Sequence, residues 1–117
     1  MGSRLTVEAF GTKIWRNEDG KRHREDAPAV ILTDGSEVWY LNGKRHREDG
    51  PAMICSSGTK LWFQNDKKHR TDGPAVIWAD GTEEWFLNGK KLSFTEWADE
   101  LNLDQKTRLE MVMKWGT

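Results

Sequence analysis

The chain has 117 residues with 18 basic and 19 acidic side chains, and its net charge of −1 gives no global pull towards nucleic acid or an anionic membrane. Hydrophobic residues make up only 36%, so a compact core is lean, but seven Trp and four Phe bury much area per residue. A lone cysteine, Cys55, excludes an internal disulfide and fits a reducing compartment.

The first ten residues lack the continuous apolar stretch of a signal peptide, and no run in the chain reaches transmembrane length. Met1-Gly2-Ser3-Arg4-Leu5-Thr6 matches a myristoylation pattern. An ordinary start, or a cloning scar over Met1 to Ser3, is the reading adopted here, because nothing else points to a membrane.

From residue 11 a period of 23 takes over. Trp39, Trp62 and Trp85 keep it, as do His23, His46 and His69, and Pro28, Pro51 and Pro74. Trp15 lies 24 before Trp39, the difference being one extra residue between Trp15 and Gly20. Three independent columns on one period define a tandem repeat. The unit reads Gly-x-x-x-Trp-aromatic-x-Asn-Gly-Lys-Arg-His-Arg-Glu-Asp-Gly-Pro-Ala-Val-Ile-x-x-Asp. Residues 11–34 are a variant unit with Arg16 in the aromatic column and Ala27 in place of glycine. Units 35–57 and 58–80 follow, and 81–91 is a half unit.

Each unit predicts a β-hairpin. Asn42-Gly43 and Asn88-Gly89 favour type I′ turns, with Asn65-Asp66 the weaker version. Asp34-Gly35, Ser57-Gly58 and Asp80-Gly81 mark the second turn. The intervening segments are rich in Trp, Tyr, Phe, Val and Ile, and the prolines fall at strand starts, where a missing N–H costs least. Strand alternation puts Trp39, Trp62 and Trp85 on one face and Tyr40, Phe63 and Phe86 on the other. It likewise sets Val30 and Val76 against Ile31 and Ile77. In the Asp-Gly-Pro corner, Asp49 and Asp72 are expected to accept backbone N–H bonds, and Gly50 and Gly73 to supply positive φ. Ala27 implies a different backbone, or negative φ, at the first corner.

The period changes after Lys91. Ser93 with Glu96 forms a capping-box signature, and Leu92 with Trp97 a hydrophobic staple. Phe94, Trp97, Ala98 and Leu101 share one helical face. Asn102 or Asp104 starts a second helix, with Leu109, Val112 and Met113 on its apolar side. The expected fold is mainly β with C-terminal helices: a twisted antiparallel meander of repeated hairpins over residues 1–91, closed by a helical cap over 92–117. Two strands per repeat give seven or eight strands.

The string Trp-x-x-Asn-Gly-Lys-x-His with a closing Asp-Gly resembles MORN repeats. A MORN unit would carry Gly after the histidine, where this chain has Arg24, Arg47 and Arg70. The longer string His46-Arg47-Glu48-Asp49-Gly50-Pro51-Ala52 is similar to repeats of small bacteriophage proteins. The resemblance covers residues 11–91 and implies a twisted sheet of hairpins. It also implies a scaffold-like role with lipid- or protein-contacting surfaces.

Candidate binding residues are the rings Trp39, Trp62, Trp85, Tyr40, Phe63 and Phe86, with Arg24, Arg47 and Arg70, since Trp, Tyr and Arg are the usual anchors of interfaces. His23, His46 and His69 lie two strands apart, roughly 10 Å, too far to share one ion whose bonds to nitrogen are about 2.1 Å. They are read as structural, packed on the neighbouring unit or bonded to Asp26, Asp49 or Asp72. The basic runs from Lys21, Lys44 and Lys67 could stack into a column for nucleic acid, yet Glu25-Asp26, Glu48-Asp49 and Asp72 follow at once. A ladder of surface ion pairs is the plainer reading. No nucleophile elbow, phosphate loop or unique carboxylate constellation appears, so neither an enzyme nor a cofactor is expected. The resemblance implies a phage-type protein of the infected bacterial cytoplasm that binds a host protein through its aromatic-rich sheet face or its helical tail, and it suggests interference with a host defence or another host process as the purpose. A homo-oligomer is allowed. Sequestration of a small anionic metabolite or nucleotide, and nucleic-acid binding along the basic column, are the alternatives.

Overall fold

The computed structural model describes residues 2–116. The start at Met1 lies outside the described residues. Thirteen short strands precede two helices. They are β1 (Arg4–Val7), β2 (Lys13–Arg16), β3 (Val30–Ile31), β4 (Glu37–Val38), β5 (Tyr40–Leu41), β6 (Lys44–Arg45), β7 (Met53–Ile54), β8 (Lys60–Leu61), β9 (Phe63–Gln64), β10 (Lys67–Lys68), β11 (Val76–Ile77), β12 (Glu83–Leu87) and β13 (Lys90–Leu92), followed by α1 (Phe94–Glu100) and α2 (Gln105–Trp115). The main sheet is an antiparallel meander of nine strands in the order β1-β2-β3-β4-β7-β8-β11-β12-β13, and β5-β6 and β9-β10 form two separate ribbons. The molecule is elongated, 49 by 28 by 20 Å.

The strand count exceeds the repeat arithmetic for two reasons. Residues 4–7 add β1, which pairs with β2 in the place a preceding unit would occupy, Leu5 opposite Trp15 and Val7 opposite Lys13. The long strands of the two complete units also divide at their tryptophans, whereas β2 and β12 run unbroken through Trp15 and Trp85. Trp39 donates its N–H across the main sheet to the Ala52 carbonyl, but its own carbonyl accepts from His46 in the ribbon. Trp62 does the same between Ala75 and His69. The ribbons lean from that point, and Tyr40 packs back against Ile14, Val30 and Val38. Phe86, in the equivalent column, packs against Ala75 and Val76. Alternation sorts the remaining side chains as expected, with Val30 and Val76 buried and Ile31 and Ile77 half-buried.

The Asn-Gly turns have positive φ at both central residues, 49° and 84° at Asn42-Gly43 and 49° and 85° at Asn88-Gly89. Asn65-Asp66 adopts the same shape at 49° and 70°. Asp66 is compensated by Arg45, whose Nε donates to its carboxylate at 2.6 Å. That bond holds the Asp66 carboxyl below its usual range. The Asp-Gly-Pro corner corrects the expectation. Gly50 and Gly73 do not take positive φ. They are glycines because a Cβ would stand 2.9 Å from the Arg47 guanidinium carbon and 2.7 Å from that of Arg70. Asp49 and Asp72 accept from the Nε of Arg47 and Arg70 rather than from backbone N–H groups.

Ser93 caps α1, and its capping box with Glu96 is complete in both directions. Asp104, not Asn102, caps α2. Trp97 is fully buried and shares a core with Trp85, Leu92 and Ala98. The second helix turns a different side inward from the one expected. Met111 and Trp115, four residues apart, reach that core, whereas Leu109 and Met113 are 61% and 80% exposed. Arg108 ties the helices together, donating to the Leu103 carbonyl and to Asp99, each at 2.8 Å.

Candidate functional site

Successive units are joined by identical bonds. The backbone N–H of Asn42, Asn65 and Asn88 donates to Nδ1 of His23, His46 and His69 in the preceding unit, at 3.0, 3.0 and 2.9 Å. An Nδ1 that accepts has no proton of its own, so each neutral ring carries its hydrogen on Nε2. Nε2 of His23 faces Glu25 at 3.7 Å, and Nε2 of His46 bonds Glu48. The histidines therefore serve the neighbouring unit, as expected, but their acidic partners are Glu25 and Glu48, not Asp26, Asp49 or Asp72. Among the described residues, no three His, Cys, Asp or Glu side chains gather as a metal set.

The arginines do not form a free column. Arg24 lies 3.8 Å over the Trp15 ring, Arg47 3.9 Å over Trp39, and Arg70 3.8 Å over Trp62. Each then donates to the carbonyl of the proline four residues on, at 3.3, 3.1 and 3.0 Å. Stacking and hydrogen bonding use up the fork and hold it over the indole. A second row places Arg22, Arg45 and Lys68 over Tyr40, Phe63 and Phe86 of the next unit, at 5.5, 4.2 and 4.9 Å. The array ends where the half unit has no arginine for Trp85. Trp97 of α1 takes that place, its ring 4.5 Å from Trp85. Trp115 then covers the outer side of Arg70 at 5.1 Å.

The nine ring and arginine positions singled out from the sequence thus divide. Trp85, Phe86 and Phe63 are buried in cores. Trp39 and Trp62 are half-buried under their arginines and border open grooves between units. One groove, about 320 Å³, is lined by Trp39, Leu41, His46 and Arg47 with Glu25 and Asp26 of the unit before. The next, about 420 Å³, sets Trp62, Gln64, His69 and Arg70 against Glu48 and Asp49. The two are one site repeated at the chain's period. The rim is acidic: the Glu48, Asp49 and Asp72 side chains are 73%, 89% and 81% exposed. Trp15, under Arg24, belongs to the same pattern and, unlike Arg24, was not singled out from the sequence. The constant offset of eight residues in Trp39–Arg47 and Trp62–Arg70 was the available signal.

No protein-family model matches the chain, and neither curated proteins nor solved structures provide a match.

Proposed function

We propose that this chain is a non-enzymatic binding module that grips an extended basic segment of a bacterial host protein along its row of grooves. One observation carries the reading. In Arg47-Glu48-Asp49 and Arg70-Thr71-Asp72 the guanidinium turns inward over an indole while Glu48, Asp49 and Asp72 stand at the rim. A chain neutral overall therefore presents a locally acidic, aromatic-floored track. Neighbouring grooves lie two strands apart, roughly 10 Å, and an extended peptide advances about 3.3 Å per residue, so a cation at every third residue matches the track. Such recognition draws on rim charge for steering and on half-buried rings for area. The likeness of the repeat string to bacteriophage proteins is the ground for naming a host protein, for placing the encounter in the infected cell's cytoplasm, and for expecting interference with host defence.

The test is capture of bacterial lysate proteins on the immobilised full chain, beside a D49K/D72K variant, with a Lys-x-x-Lys-x-x-Lys peptide as competitor. Capture that the peptide competes and the variant loses supports the reading. Equal capture by the variant overturns it. So does a nucleotide or metabolite that co-purifies in native mass spectrometry, or salt-sensitive retention on heparin, since these mark the two alternatives.

A further inference from the structure

The two ends of the nine-stranded sheet are finished differently. At one end β13 is three residues long, carries exposed Lys90 and Lys91, and runs directly into the helical cap. Charged side chains and short length are how sheets guard an edge. At the other end β1 is exposed along its whole length, with Leu5 45% and Val7 59% exposed. Among the described residues no strand pairs with its outer side.

We infer that β1 is the self-pairing edge of a twofold homodimer in which the segment Arg4-Leu5-Thr6-Val7-Glu8 lies antiparallel to its own copy. The backbone decides which groups are available. Glu8 donates its N–H to the Thr12 carbonyl, so the pairs with β2 that exchange hydrogen bonds are Glu8–Thr12, Thr6–Ile14 and Arg4–Arg16. Leu5 and Val7 then direct their N–H and C=O groups outward. Trp15, opposite Leu5, agrees, because its N–H goes to Ala29 on the far side of β2.

Side-chain chemistry selects the register. With Thr6 on the axis, Leu5 meets the partner's Val7 in both symmetry-related places, and four main-chain hydrogen bonds form. Arg4 meets the partner's Glu8 twice. Neither Arg4 nor Glu8 has an ion-pair partner among the described residues of its own chain. The even residues share the face of Ile14 and the odd ones the face of Trp15, so the ion pairs gather on one side and a Leu-Val quartet on the other. A register two residues away, with Leu5 or Val7 on the axis, sets Arg4 or Glu8 against uncharged neighbours. Because the opposite edge is guarded, pairing closes at two copies and does not propagate as a filament.

The test is sedimentation of the full chain up to roughly 0.5 mM, where a contact of this small size is populated. A species of twice the 13.5 kDa chain mass is expected. By symmetry R4E or E8R alone turns two attractions into two repulsions, and each should weaken the dimer by about tenfold or more, while R4E/E8R restores it. Both positions are exposed, and unchanged circular dichroism verifies the fold. Independently, T6C in a Cys55→Ser background should form an intermolecular disulfide on oxidation, as opposed residues of a non-hydrogen-bonded pair allow. A monomer at every concentration overturns the inference, as does a dimer insensitive to both swaps or a T6C chain that does not cross-link.

Discussion

The indole N–H of Trp97 donates to the backbone carbonyl of Arg70, 27 residues earlier, at 2.9 Å. Arg70 is the arginine that covers Trp62, so this bond fastens the cap to the last complete unit at the point where the stacked array ends. Trp97→Phe keeps a ring but orphans the carbonyl, and a cost of about 1–2 kcal/mol is expected. Trp97→Ala also empties a fully buried site and should cost about 3–5 kcal/mol. Urea denaturation followed by far-UV circular dichroism measures both, and a Trp97→Phe variant as stable as the parent would show that the hydrogen bond contributes nothing.

The three histidines make the same bond at three junctions. His23→Ala, His46→Ala and His69→Ala should each cost about 1–2 kcal/mol, since each leaves an Asn N–H without its acceptor. The sites are roughly 10 Å apart, so the triple variant should show additive losses to within about 0.5 kcal/mol. A loss concentrated at one histidine would contradict equivalent junctions.

Gly50 and Gly73 occupy one column but have different neighbours. A Cβ at Gly50 meets the end of the Arg47 side chain, which can shift, and Gly50→Ala should cost about 0.5–1 kcal/mol. A Cβ at Gly73 would also stand 2.9 Å from the Trp115 ring, which the cap holds in place, so Gly73→Ala should cost about 1–3 kcal/mol. Thermal denaturation of the pair reads the difference directly, and the reverse order would be inconsistent with the cap lying on this corner.

Asp34 and Asp80 accept the N–H of Ser36 and Thr82 within their turns, at 2.8 and 2.9 Å, and these residues hold both carboxyls below the usual value of 3.8. A depressed folded-state pKa stabilises the fold above the unfolded value and loses that contribution as pH falls through the folded one. The urea midpoint should therefore fall as pH drops below about 3.8, and less steeply in D34N/D80N. An identical acid limb in the variant would assign the acid sensitivity to other carboxylates.

Much of the architecture was legible in the chain because turn residues and ring columns repeat in phase. The Asn-Gly turns needed their positive φ, and Ser93 with Glu96 announced α1. What was not legible depended on contacts between units. Nothing local at Trp39 says that its N–H and carbonyl serve different sheets. Gly50 looked like a conformational glycine and proved to be a steric one, since the obstructing group is a side chain three residues earlier. The phase of α2 was misjudged because Leu109 and Met113 form as regular an apolar stripe as Met111 and Trp115, and only the position of Trp85 and Arg70 chooses between them. In the candidate site, the aromatic columns were visible but the inward turn of the arginines was not.

Because the histidine-to-asparagine bond is the same at each junction, the chain is tolerant of change in length only in whole steps. Deleting residues 35–57 would bring His23 against Asn65 with donor and acceptor still matched, and would shorten the molecule by about 10 Å. Removing one residue inside a unit would instead slip the acceptor off its donor and invert the faces of the strand beyond it. Insertions and deletions among natural relatives should thus fall in multiples of 23 residues, with the extra residue before Gly20 accommodated in a first unit whose opening turn is built differently. An array of this kind can lengthen or shorten its row of grooves without redesigning any one of them.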